Sequence, residues 1–378
     1  MKIISLGSLV KIRTGKLDAN ANDPNGKYPF FTCSREALKI NSYTYDCECV
    51  LVAGNGDLNV KYYNGKFDAY QRTYILESLD KKTLNVKYLY YFMERYVSKL
   101  RKMSIGGVIK YIKLSYLTEA KIPLPDLKVQ NKIVEVLDKA QYLISKRKSQ
   151  IEALDQLTQS VFLEMFGDPY KNPKNWPVGT IKDITLKTQY GTSKKASENK
   201  GKYPILRMGN ITYNGFLDFN DMKYIDLDDS EAEKYLVHKG DLLFNRTNSK
   251  ELVGKTAVYR EELPMAYAGY LVKLVPNEKA NSEFISGFLN SKYGKTLLYS
   301  MAKNIVGMAN INAEELKRIK IYIPPRDLQD KFASIISNIL ERRELLNKGL
   351  KLLEENYNSL MQRAFKGELF TEEKVSNL

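Results

Sequence analysis

The sequence has few of the residues on which metal and thiol chemistry depends. Its 378 residues include three cysteines (Cys33, Cys47, Cys49), one histidine (His238) and one tryptophan (Trp176). That Cys/His set cannot assemble a four-ligand zinc site, and an odd, sparse thiol count suits a reducing compartment. No run of eighteen apolar residues occurs, so there is no candidate transmembrane helix. The opening MKIISLGSLVKIR meets Lys11 and Arg13 too soon for a signal peptide, and a soluble, cytoplasmic protein with no membrane partner is expected. There is no Gly-x-x-x-x-Gly-Lys-Ser/Thr phosphate loop, which excludes an ATP motor of that class. There is also no Asn/Asp-Pro-Pro-Tyr/Phe tetrapeptide of the kind amino-methyltransferases use to grip a target base; Pro324-Pro325-Arg326-Asp327 reads as a helix entry. Gly54-Asn55-Gly56-Asp57 is a lone Gly-x-Gly after a strand, and a tight loop is its simpler reading. His238 and the Cys47/Cys49 pair have no motif around them and read as structural. No catalytic residue, metal or cofactor is therefore assigned to this chain.

What is present is apolar mass, positive charge and a repeat. Hydrophobic residues make up 43%, ample for packed cores, and the net charge of +15 points to an acidic partner, nucleic acid above all. A shift of 199 positions pairs Ile122 with Ile321, Pro125 with Pro324, Gln130 with Gln329, Ser160 with Ser359 and Phe166 with Phe365. Further upstream GKYPFF (26–31) echoes GKYPIL (201–206) at a shift of 175, so the upstream parts have diverged in length.

The constant part of the repeat is helical by periodicity. Ile133, Leu137, Ala140, Ile144, Arg147, Ile151, Leu154, Thr158, Val161 and Met165 step by fours and threes, as do Phe332, Ile336, Ile339, Arg343, Leu346, Leu350, Leu353, Tyr357, Leu360 and Ala364. Asp126 and Asp327 are placed to cap the two starts, and Gly167 and Gly367 to end the helices, each about 37 residues long. Neither helix can bury its own stripe, so an antiparallel coiled coil is expected, with Arg147 and Arg343 snorkelling at the seam's edge and a register-setting role as their other reading. The alternative is that each helix packs on its own domain. Segments 1–125 and 168–325 read as mixed α/β domains. Strands are expected near Cys49–Ala53, Arg72–Leu76, Asp241–Phe244 and Gly269–Val275, with turns at Asn25-Gly26, Asn64-Gly65 and Asn214-Gly215. The expected organisation is domain 1–125, helix 126–167, domain 168–325 entered through the proline-stiffened 168–177, helix 326–368, and tail 369–378.

Charge separates these parts. Residues 1–125 hold 20 basic and 11 acidic side chains, and residues 167–325 hold 24 and 18, whereas 126–166 hold 6 and 6 and 326–368 hold 8 and 7. The domains carry the positive charge, so a polyanion belongs on them and the helices read as neutral spacers.

Two variable α/β domains, each followed by a long helix introduced by Ile-Pro-Leu-Pro-Asp-Leu-x-x-Gln (122–130) or Ile-x-Ile-Pro-Pro-Arg-Asp-Leu-Gln (321–329), resemble the specificity subunit of type I restriction-modification enzymes. Met165-Phe166-Gly167-Asp168-Pro169 and Asn172-Pro-x-x-Trp-Pro177 add to the likeness, which spans the whole architecture; the first half lacks a tryptophan entrance. The resemblance implies an α+β protein with two tandem target recognition domains, two spacer helices and a pseudo-twofold repeat. It implies a non-catalytic reader of an asymmetric, bipartite site in double-stranded DNA. It further implies docking of two adenine-methyltransferase (modification) subunits, which hold S-adenosylmethionine, and of restriction subunits that use ATP and magnesium.

Bidentate base readers are Arg and Lys for guanine and Asn or Gln for adenine, best presented from loops at strand ends. The favoured candidates are Asn55 and Asn59, Tyr70-Gln71-Arg72, Lys110, and Arg246, Asn248 and Lys250, with Lys303 and Asn304 in the segment corresponding to that of Lys110. A solvated turn is the competing reading for each. The seam is assigned to Leu137, Ile144, Ile151, Leu154, Val161, Ile336, Leu346, Leu350, Leu353 and Leu360. A DNA-binding or coiled-coil scaffold outside restriction-modification, and an intrinsic DNA enzyme, are the rival classes.

Overall fold

The computed structural model describes residues 2–305 and 308–370, with the side chains of 303–305 outside that description. The chain forms two compact units: Met1–Arg147 with Gly349–Leu378, and Lys148–Lys348. Each long helix thus gives one half to each unit.

In the first unit a six-stranded sheet runs in the order Val10–Thr14, Thr73–Ser78, Tyr45–Ala53, Val60–Ala69, Tyr28–Phe31, Leu38–Ile40. All neighbours are antiparallel except Tyr28–Phe31 and Val60–Ala69. Helix Val86–Met103 packs on this sheet because Val86, Leu89, Met93, Val97 and Leu100 recur at helical spacing and are buried with Val50, Val52 and Leu76. The second unit repeats the plan in two four-stranded sheets. One is Thr185–Tyr190, Leu271–Pro276, Leu242–Asn245, Thr256–Val258; the other is Lys223–Ile225, Tyr203–Leu206, Met265–Tyr267, Leu236–Val237. The echoing GKYP segments take the same place in both: Tyr28–Phe31 and Tyr203–Leu206 each lie between one parallel and one antiparallel neighbour.

The long helices span Leu127–Phe166 (40 residues) and Arg326–Lys366 (41 residues). In the first, Ile144, Arg147, Ile151, Leu154, Thr158 and Val161 are half-buried, and every residue between them except Asp155 is exposed. In the second, Arg343, Leu346, Leu350, Leu353, Tyr357 and Leu360 are likewise half-buried. Leu137 and Ile336 lie nearer the helix starts and are fully buried. Both units pair the helices antiparallel. In the first unit Gln141 Nε2 donates to the Tyr357 hydroxyl at 3.0 Å, and in the second Phe162 meets Phe332 with ring centroids 5.8 Å apart. The helix ends also pack on the domains, since Phe365 lies against Tyr88 (5.1 Å) and Phe166 against Phe284 (5.0 Å). Mutual pairing and packing on a domain therefore coexist along one helix.

Three expectations need correction. Arg343 does not snorkel: its Nε donates to Asp155 Oδ1 at 2.8 Å and its guanidinium lies 4.2 Å from the Phe216 ring centre, so a carboxylate and a ring face hold it at the seam. Arg147 likewise lies along the partner helix, over the gap left by Gly349, where a Cβ would come within 2.1 Å of its Nη1. Asp327 is inside the first turn rather than at the cap, because Pro325 with its fixed φ starts the helix earlier; Asp126 does cap, accepting from the Val129 amide at 2.9 Å. Asn64-Gly65 is no turn: it lies within Val60–Ala69, opposite Glu48 and Cys47, where pairing along the nine-residue strand Tyr45–Ala53 overrides the local preference. The proline-stiffened entry at 168–177 is further held by the Trp176 indole N–H, which donates to the Phe166 carbonyl at 3.0 Å.

The two repeated glutamines explain themselves here. Gln130 is fully buried; it accepts from the Asn85 amide (2.9 Å) and donates to the Thr83 and Pro125 carbonyls (both 2.9 Å). Gln329 does the same with the Asn281 amide (2.8 Å) and the Lys279 (3.0 Å) and Pro324 (2.8 Å) carbonyls. Each clamps the N-cap of a domain helix to the start of a long helix.

Candidate nucleic-acid interface

In the first unit the chain leaves strand Tyr45–Ala53 at Gly54, whose amide donates to the Arg72 carbonyl at 2.8 Å. A Cβ on Gly54 would meet that oxygen at 2.4 Å, so the close approach requires glycine. The Ile112 amide donates to the Gly54 carbonyl and the Gly56 amide to the Lys110 carbonyl, both at 2.9 Å. These bonds bring the loop of Asn55, the turn of Tyr70-Gln71-Arg72 and the segment of Lys110 onto one face. Gln71, Arg72 and Lys110 are exposed there, while Asn55 and Tyr70 are half-buried. Asn59 braces the loop from within, donating to the Cys33 and Asp57 carbonyls at 2.8 Å each. Arg35 and Arg101 flank the exposed Asp57 carboxyl at 2.8 and 3.3 Å, and these cations, Arg35 foremost, hold it below the usual carboxylate range.

The second unit builds the same junctions. The Arg246 amide donates to the Tyr270 carbonyl at 3.0 Å, and the Ile311 amide to the Arg246 carbonyl at 2.9 Å. Thr247 pairs with Asn310 as Asn55 pairs with Tyr111. Arg246 therefore stands where Gly54 does, Tyr270 where Arg72 does, and Ala309 where Lys110 does. The Arg246 guanidinium lies 4.8 Å from the Tyr190 ring centre and the Lys250 ammonium 4.6 Å from that of Tyr299. Asn248 Oδ1 accepts from the Ser249 amide at 2.8 Å. Lys303 lies opposite Asn310, and Asn304 opposite Ala309, in the adjoining hairpin; the side chains of these two candidates are outside the described residues.

Sequence reasoning missed the aromatic partners of these cations. Tyr190 and Tyr299 are 39% and 48% exposed. Lys295 escaped it too: its ammonium donates to the Tyr213 carbonyl at 2.8 Å, and burial pulls its pKa down to about 8. The available signal was the abundance of tyrosine, but one sheet tyrosine looks like another until the fold brings a cation beside it. Among the described residues no cluster of His, Cys, Asp and Glu fit to hold a metal occurs, and no helix is long and apolar enough to cross a membrane.

The comparisons agree with this geometry. A family model described as "Type I restriction modification DNA specificity domain" matches residues 1–153 and 173–355. The chain is 40% identical to the EcoDI specificity subunit of Escherichia coli over 156 residues, covering 41% of this chain and 34% of that protein. It is 24% identical to the EcoKI specificity subunit of Escherichia coli strain K12 over 301 residues, covering 75% and 65%. The alignments thus span from about a third to just under two thirds of those relatives' length. In fold it is similar to the S subunit of a type I restriction-modification system from M. genitalium, with a TM-score of 0.62, 18% identity and 96% of each chain covered. With the family model matching most of its length in two corresponding blocks, the chain belongs to the type I restriction-modification DNA specificity family.

Proposed function

We propose that the chain reads DNA for a type I restriction-modification assembly: each unit reads one half of a bipartite duplex site and the paired helices set the interval between the halves. The observation that carries this is the loop face built twice from the same three junctions, around Gly54, Arg72 and Ile112 and around Arg246, Tyr270 and Ile311. Phosphate contacts position such a face and side chains at loop tips read base edges. The side chains at matching positions differ between the copies, with exposed Arg72 against exposed Tyr270, exposed Lys110 against buried Ala309 and half-buried Asn55 against buried Thr247, which supports an asymmetric target.

On this reading the chain is non-catalytic. Two adenine-methyltransferase subunits supply S-adenosylmethionine chemistry, and restriction subunits supply ATP- and magnesium-dependent work. A scaffold outside restriction-modification would leave the charge of the two domains without a purpose. The test uses the purified full chain. Its affinity for duplex DNA should fall steeply with salt, by roughly 0.9 log units per log unit of salt for each phosphate neutralised, and it should transfer no methyl group from S-adenosylmethionine. Salt-independent binding, or robust turnover by the chain alone, contradicts the proposal.

A further inference from the structure

The first unit carries an apolar point in its most basic region. Residues 105–111 form a small hairpin, closed by the Ile105 amide on the Tyr111 carbonyl (3.0 Å) and the Tyr111 amide on the Ile105 carbonyl (2.8 Å). At its tip Val108 is fully exposed and Ile109 is 64% exposed. This is a built feature. The hairpin is tied to the candidate reading loop through the Gly56 and Ile112 amides, and Gly106 takes φ +116°, where a Cβ would lie 2.6 Å from the Ile109 carbonyl oxygen. The tip therefore holds two aliphatic side chains in water, a cost that burial against a partner would remove.

Charge indicates which partner. From Arg95 to Thr118 the sequence holds Arg95, Lys99, Arg101, Lys102, Lys110 and Lys113, and no acidic residue. An apolar tip with exposed Lys110 beside it, on a segment that holds no carboxylate, suits a polyanion that has apolar surface within reach of its phosphates, which describes the groove of duplex DNA. The second unit offers an independent copy. Its matching bonds, Ile311 amide to Arg246 carbonyl and Thr247 opposite Asn310, place Met308 where Ile109 stands, and Met308 is 46% exposed.

We propose that Val108 and Ile109 act as an apolar wedge that enters a groove of the first half-site and packs against a base step there. This rests on the DNA-reading function proposed above. The test uses the full chain and a duplex carrying the site found by methylation mapping in a host that expresses the chain with its modification subunit. Val108→Ser/Ile109→Ser should bind that duplex about tenfold more weakly with an unchanged salt slope, since no charge is lost, and with an unchanged melting temperature. Val108→Leu/Ile109→Leu should keep the affinity. If no bipartite site is mapped, the functional reading itself falls. If wild type binds the mapped site and the serine variant binds as tightly, the wedge alone is overturned, even if that variant no longer assembles with a protein partner. A changed salt slope, or equal loss in the leucine variant, also overturns it.

Discussion

Gln130 and Gln329 carry more of the fold than their surface neighbours do, because each satisfies three backbone groups from a fully buried position. Truncation strands one amide and two carbonyls away from water, and an unsatisfied buried group costs about 1–3 kcal/mol. Gln130→Ala and Gln329→Ala should each lower stability by about 2–4 kcal/mol, read as a shifted urea midpoint at constant slope. A loss below about 0.5 kcal/mol, the scale of ordinary surface changes, would show that the clamps are dispensable. Their repetition at matching positions was visible in the sequence. Their role was not, since their partners Thr83, Asn85, Lys279 and Asn281 lie 45 to 50 positions away. The same distance problem hid the pairing of Lys250 with Tyr299.

At the scale of elements, the helices were legible and the sheets only partly so. A helix writes its packing face into one stretch of chain, so the four-and-three spacing from Ile133 to Met165 sufficed. A strand depends on neighbours brought from elsewhere. Asn64-Gly65 looked like a turn because nothing local reveals that residues 45–53 pair straight through it. The helices also offer a direct test. Four residues inserted after Gln150 lengthen the helix by about 6 Å and keep its buried face nearly in phase. The spacer between half-sites should grow by about one or two base pairs at 3.4 Å each, with both half-site sequences unchanged. A changed half-site with an unchanged spacer would show that the helices do not set the interval.

For the molecule as a whole, charge and repetition point the same way. Nearly all of the +15 lies in the two domains, and each domain presents its own loop face with different side chains at matching positions. Such a chain should direct chemistry performed by others to one sequence composed of two unequal parts. The most direct measurement is a genome-wide methylation map of a methylation-free host that expresses this chain with its modification subunit. The account predicts N6-methyladenine at a single asymmetric, interrupted sequence, with one methylated adenine in each half on opposite strands. Methylation of an uninterrupted palindrome, or the same map when the chain is omitted, would contradict it.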